Sequence, residues 1–219
     1  MKKTILLAYF IFLYFIITST AYASDANDWQ YWFNGGMEVK LPGNWKAKIE
    51  EEIRSEQTMI DPYHHYTEAA LNYKVNTWFS IELSYRHIYE KKGGEWNLES
   101  RPHANGVFRW HLHKMAFENR SRLELRIRED KDNVWRYRNK TTLSHRVGLG
   151  HRDFNPYISE EIYYDFDESE INRNRVYVGV KHNLTRSVGL DVYYLWQATK
   201  SSDDWVDFNI LGVKLKVAI

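Results

Sequence analysis

The chain has 219 residues, 30 basic and 29 acidic side chains, and no cysteine. So even a balance excludes the basic surplus that a nucleic-acid partner demands. The missing cysteine excludes a disulfide framework, so stability must come from burial and hydrogen bonding.

Residues 1–23 read as a secretory signal. Lys2 and Lys3 form a positive start, Ile5 to Ile17 is an uncharged apolar run, and Ala21-Tyr22-Ala23 is an A-x-A cleavage site. Cleavage would leave a mature domain of 24–219, opening on Ser24, which closes the lipoprotein route that needs cysteine. No second apolar stretch is long enough for a membrane-spanning helix. Mean hydropathy is −0.61, yet all nine tryptophans lie in the mature part. A membrane β-barrel has this composition, because it hides its hydrophobicity on alternate residues.

Eleven strand candidates follow in order: 29–41, 45–56, 63–75, 78–90, 104–113, 115–128, 134–147, 155–165, 172–184, 187–198 and 204–219. The segment 117–128 carries the cleanest pattern. Every even position from Glu118 to Arg128 is charged, and Leu123, Leu125 and Ile127 fall between them. A period of two means a strand with one apolar and one polar face. The segments around Phe79–Arg86, Trp135–Leu143 and Val188–Gln197 alternate in the same way. No segment holds a 3.6-residue period, so helix content should be low.

The connections alternate in length. Short turns fall at Pro42-Gly43-Asn44, Asn76-Thr77, His113-Lys114 and Thr185-Arg186. Longer polar loops fall near 57–62, 91–103, 129–133, 166–171 and 199–204, and the stretch 148–154 breaks the alternation once. Outer-membrane barrels pair short periplasmic turns with longer outer loops. Aromatics near the strand ends suggest interface girdles: Trp29, Tyr31, Trp32, Trp45, Tyr63, Trp78, Tyr89, Trp96, Trp135 and Trp205.

The reading is therefore all-β: an antiparallel up-and-down transmembrane β-barrel of 10–12 strands in the bacterial outer membrane. Both chain ends on the periplasmic side require an even count, so ten or twelve are expected. Either 29–41 is not a full strand or one strand is merged or missed. Glu51 and Glu160 fall on the lipid face and call for a bulge or an interfacial position. Ile210-Leu211 suggests a further phase shift.

The inward face should carry a charged cluster: Glu82, Arg86, Glu118, Arg120, Arg122, Glu124, Arg126, Arg136, Arg138, Glu161 and Arg175. In a narrow lumen such charges must be paired or hydrated. A salt-bridge ladder is the structural reading, and a narrow anion-selective conduit is the functional one.

The last strand, Val213 to Ile219, alternates to its final residue, as in chains read by the barrel-insertion machinery. Short motifs recur along the chain: Trp32, Glu52-Ile53-Arg54, Tyr85-Arg86, Asn119-Arg120-Ser121-Arg122-Leu123-Glu124, Arg136-Tyr137-Arg138, Glu161-Ile162-Tyr163, Asn174-Arg175-Val176-Tyr177 and Tyr193-Tyr194. In their order and spacing the chain resembles a bacterial family of outer-membrane barrels known only as domain of unknown function 2490. The resemblance implies a fold and a location and no chemistry.

Catalytic residues are not expected. Barrel lipid hydrolases use His-x-Ser on one strand face, and none of the nine histidines is followed two residues later by serine. His111-x-His113 and His64-His65 lack a third metal ligand, so neither metal nor cofactor is expected. Outer-membrane lipid and the insertion machinery are the expected partners; the oligomeric state stays open. Two other readings are a lipid-modifying hydrolase of the outer membrane and a soluble periplasmic β-barrel that binds a ligand.

Overall fold

The computed structural model describes residues 29–56, 61–129, 131–150, 152–201 and 204–219. The expected signal and cleavage site lie outside these residues. Twelve strands form one sheet: β1 (Trp29–Lys40), β2 (Trp45–Glu56), β3 (Pro62–Lys74), β4 (Phe79–Lys92), β5 (Glu95–Leu112), β6 (Met115–Arg128), β7 (Lys131–His145), β8 (Val147–Leu149), β9 (Arg152–Asp165), β10 (Glu170–Asn183), β11 (Val188–Ser201) and β12 (Asp204–Ala218). No helix occurs among the described residues.

The sheet closes on itself. Neighbours in sequence pair antiparallel, β7 pairs with β9, and β12 returns to β1. β8 pairs only with β9, so eleven of the twelve strands make the ring. Twelve strands meet the expected count of ten or twelve, but the closed ring itself is odd because β8 stands outside it. The closing pair fits this parity: β1 and β12 run parallel from Trp29↔Asn209 to Glu38↔Ala218. An up-and-down chain closed by one parallel pair has an odd ring, and its first and last strands point the same way. The segment 29–41, doubted as a full strand, is paired on both sides.

One mouth of the barrel, here the turn mouth, carries the short connections after β1, β3, β5, β7 and β10. The other, the loop mouth, carries the connections after β2, β4, β6, β9 and β11. The expected loop at 91–103 is a hairpin instead. Gly93 and Gly94 sit at φ 59° and 91°, and two glycines of positive φ suit a two-residue turn between twisted strands. β4 and β5 pair through it as far as Lys92↔Glu95. The stretch 148–154 belongs mostly to β8 and β9.

The distribution of side chains is inverted relative to a water-soluble core. Among the described residues, 24 polar or charged residues are buried against 12 hydrophobic ones, while 35 large hydrophobics lie exposed. Period-two alternation produces this directly: Leu83 is 63% exposed and Ser84 beside it 8%. Aromatic rings ring the turn mouth on the outer wall, with Trp45 on Tyr73 at 4.7 Å, Trp78 on Phe108 at 5.8 Å and Trp110 on Phe117 at 4.1 Å. Trp32 and Tyr63 do not join a girdle. Trp32 is buried inside, and its indole and the Tyr63 hydroxyl both donate to Gln30 Oε1, at 3.1 and 2.8 Å.

No bulge rescues Glu51 or Glu160. Both stay outward in unbroken register. Glu51 lies 2.7 Å from His65 Nε2, and Asn174 donates to Glu160 at 3.2 Å. Register is also unbroken at Ile210-Leu211. Ile210 points inward and is fully buried, while Leu211 points outward.

Candidate functional site

Alternation aims one residue in two at the lumen, and the lumen divides into two halves. Around β9–β12 and β1 the filling is aromatic and apolar: Trp32, Tyr157, Tyr177, Leu195 and Ile210, flanked by Tyr193 and Phe208. Two interior glycines make room for rings. A Cβ on Gly212 would lie 2.0 Å from the Tyr193 ring, and one on Gly179 would lie 2.8 Å from Tyr157. Around β2–β7 the filling is ionic.

Four carboxylates organise the charged half. Glu124, fully buried, accepts from Arg136 Nε at 2.6 Å and Arg138 Nη1 at 3.2 Å; Arg136 Nη2 touches it as well. Arg101 and Arg122 stand 3.9 Å away. Glu161 accepts from Arg120 at 2.7 Å, from Arg138 at 2.8 Å, and from the Tyr163 and Tyr177 hydroxyls at 3.1 Å each. Arg175 lies 4.0 Å from it and donates to Gln197 at 2.7 Å. Glu68 takes Arg86 through both Nε (2.8 Å) and Nη2 (2.5 Å). Glu99 takes Arg126 at 2.8 and 2.9 Å, and Arg101 at 2.6 Å.

Of the cluster read from the sequence, Arg120, Arg122, Arg136, Arg138 and Arg175 gather around Glu124 and Glu161, whereas Arg86 is held by Glu68 and Arg126 by Glu99. Two of its acids stand apart. Glu82 accepts from Asn105 at 2.8 Å, and Glu118 pairs with Arg109 at 2.6 Å on half-exposed side chains. Sequence reasoning missed Glu50, Glu52, Glu68, Glu99, Arg101, Lys214 and Tyr163. Parity could have found them, since Glu50 and Glu52 flank outward Glu51, and Glu68 shares the face of His64 and Tyr66. Glu50 accepts from Lys214 at 2.6 Å, Lys48 at 2.8 Å and Tyr66 at 2.7 Å. Together with Lys216–Glu38 at 2.8 Å, the Lys214 pair fastens β12 to β2 and β1 from inside.

Rings cover several cations. Arg54 stacks over Trp32 at 3.7 Å, Arg86 over Tyr66 at 3.8 Å, Lys140 over Tyr177 at 3.4 Å and Lys181 over Tyr157 at 4.6 Å. A cavity of about 510 Å³ runs from this ionic layer to the turn mouth, where His182, Asn183, Gly189 and Lys216 form its rim. A second hollow, at the turn mouth beside β8, is lined by His111 and His113. Its acid, Asp153, is held by Arg146 at 2.5 Å. No group of three metal-ligating residues stands together among the described residues.

Structurally the protein is a closed β-barrel with an apolar wall and an ion-paired interior. It belongs to the family described as "Protein of unknown function (DUF2490)", whose model matches residues 29–208. No curated protein matches the chain. Among solved structures it is similar to the β domain of the Bordetella autotransporter BrkA, with a TM-score of 0.49 and 12% identity over 75% of this chain and 79% of that one.

Proposed function

We propose that this protein is an integral outer-membrane β-barrel, non-enzymatic, whose lumen is filled by a salt-bridge network and which serves a structural or narrow-pore role. The observation that carries this reading is the inverted distribution of side chains. Thirty-five large hydrophobics lie exposed among the described residues, most of them on strands of the barrel wall, and they have no favourable place in water. A hydrocarbon layer would bury them, and a barrel leaves no unpaired backbone inside that layer. Outer-membrane lipid and the barrel-insertion machinery are the partners this reading requires.

A non-enzymatic role is favoured by the state of the carboxylates. Glu68, Glu99, Glu124 and Glu161 are each held by guanidinium groups. Carboxylates so committed are poor general acids or bases. The reading is tested by fractionating expressing cells and running the extracted protein on gels before and after boiling. Recovery with the outer membrane and a heat-dependent mobility shift are expected. A protein wholly in the soluble periplasm, with one mobility, would overturn it. In a planar bilayer the filled lumen should give no large, stable conductance steps; observing them would replace the structural role with that of a channel.

A further inference from the structure

The cavity that opens at the turn mouth is electrostatically unbalanced. Its lining holds ten arginines and lysines against five acids, Glu50, Glu52, Glu118, Glu161 and Asp191, and three acids behind it, Glu38, Glu68 and Glu124, take Lys216, Arg86 and Arg138. Most of the acids are already engaged: Glu50 by two lysines, Glu52 by Arg54, Glu161 by Arg120 and Arg138. Several cations keep donor groups that no carboxylate accepts from. Lys140 and Lys181 rest on the rings of Tyr177 and Tyr157, and no carboxylate lies within ion-pair distance of either among the described residues. Asp191, the acid nearest Lys181 by register, takes the Tyr157 hydroxyl at 3.0 Å instead. Arg122, 3% exposed, spends its Nε on Asn105 and leaves Nη1 without a hydrogen bond; Arg120 Nε is likewise unpartnered.

Arg122 is buried with one guanidinium nitrogen unsatisfied, and buried cations short of partners are costly. They persist where an anion completes them. Guanidinium donors match oxyanions in fork geometry, and ammonium groups add point charge. Glu161, Arg120 and Arg138 line the cavity themselves, and its rim lies at the turn mouth, where a ligand enters and leaves. We infer that the cavity is a binding site for a compact multivalent oxyanion, a small molecule carrying two or more phosphate or carboxylate groups, held by Lys140, Lys181, Arg120 and Arg122. The site goes beyond the structural or pore role proposed above and depends on the lumen geometry alone. Its test in detergent does not turn on which membrane holds the barrel.

Titration calorimetry on the full barrel in detergent, its fold checked by the boiling-dependent mobility shift, measures binding of two probes, pyrophosphate and citrate, at fixed ionic strength. Saturable one-to-one binding of at least one probe is expected. The tighter probe assigns the oxyanion: pyrophosphate for phosphate groups, citrate for carboxylates. The double variant K140M/K181M should weaken binding by about tenfold or more, as expected for losing a charge-assisted contact. Lys92→Met, at the loop mouth, should leave it unchanged. If the double variant does not fold, Lys181→Gln alone is judged by the same criterion. Absence of saturable binding by both probes, or wild-type affinity in the folded lysine variant, would overturn the site.

Discussion

Replacing Glu124 by glutamine removes one charge from the most enclosed point of the lumen and keeps its volume. The carboxylate is fully buried, accepts from Arg136 and Arg138, and has Arg101 and Arg122 at 3.9 Å. Four guanidinium groups share this one acid as a direct or near neighbour. The glutamine amide offers one acceptor oxygen and turns two N–H donors toward groups that only donate. Breaking a buried ion pair by removing one partner costs roughly 3–5 kcal/mol, chiefly because the other charge is left uncompensated. The remaining acid Glu161, which also holds Arg138, puts the expected loss for Glu124→Gln at the lower end, about 3 kcal/mol. The assay is urea unfolding of the detergent-refolded barrel followed by tryptophan fluorescence, with Glu160→Gln as control. Glu160 is exposed and faces outward, so neutralising it should change stability by no more than about 0.5 kcal/mol or should stabilise slightly. Equal behaviour of the two variants would refute the argument that ion pairing holds the lumen together.

Single cysteines at Leu83 and Ser84 should report opposite environments: the first open to a lipid-soluble reagent, the second reached only from the lumen. Leu123→Arg should cost roughly 2–4 kcal/mol if that wall meets the bilayer midplane, measured by the same urea titration. Gly212→Ala should destabilise by about 1–3 kcal/mol through overpacking, because the new Cβ would lie 2.0 Å from the Tyr193 ring. Gly35→Ala, with nothing within 4 Å, should be tolerated. Lys214→Met should loosen the β1–β12 junction, seen as faster amide exchange in β12 than in β4.

Strand positions were legible because period two survives wherever one face is apolar. β2, β6 and β12 fall almost where alternation places them. Ring closure was not legible. Parity of the count rests on the hydrogen bonds between Trp29–Glu38 and Asn209–Ala218, residues some 180 positions apart with no local signature of pairing direction. The loop at 91–103 misled because its polar residues belong to strands extending past the apolar wall, where alternation carries no hydrophobic mark. The inward-facing charges were legible by parity, but their partners were not. Arg86 meets Glu68 across the β3–β4 pair rather than Glu82 on its own strand. The apolar half of the lumen escaped because Leu195 and Ile210 occupy polar-parity positions beside outward Trp196 and Leu211. The adjacent pair Ile210-Leu211 was read as a register fault rather than as two opposite faces.

The parallel junction has a consequence for sidedness. β1 begins at the loop mouth and β12 ends at the turn mouth, so in the membrane orientation proposed above the two ends of the strand ring would face different compartments. With the turn mouth in the periplasm, a folded reporter fused beyond Ile219 stays there. The same reporter fused ahead of Trp29 has to be carried across the membrane during assembly. An epitope placed before Trp29 would be reached by antibody on intact cells, whereas one placed after Ile219 would be reached only after the envelope is opened. Swapping the position of one tag thereby reads the orientation of the whole barrel.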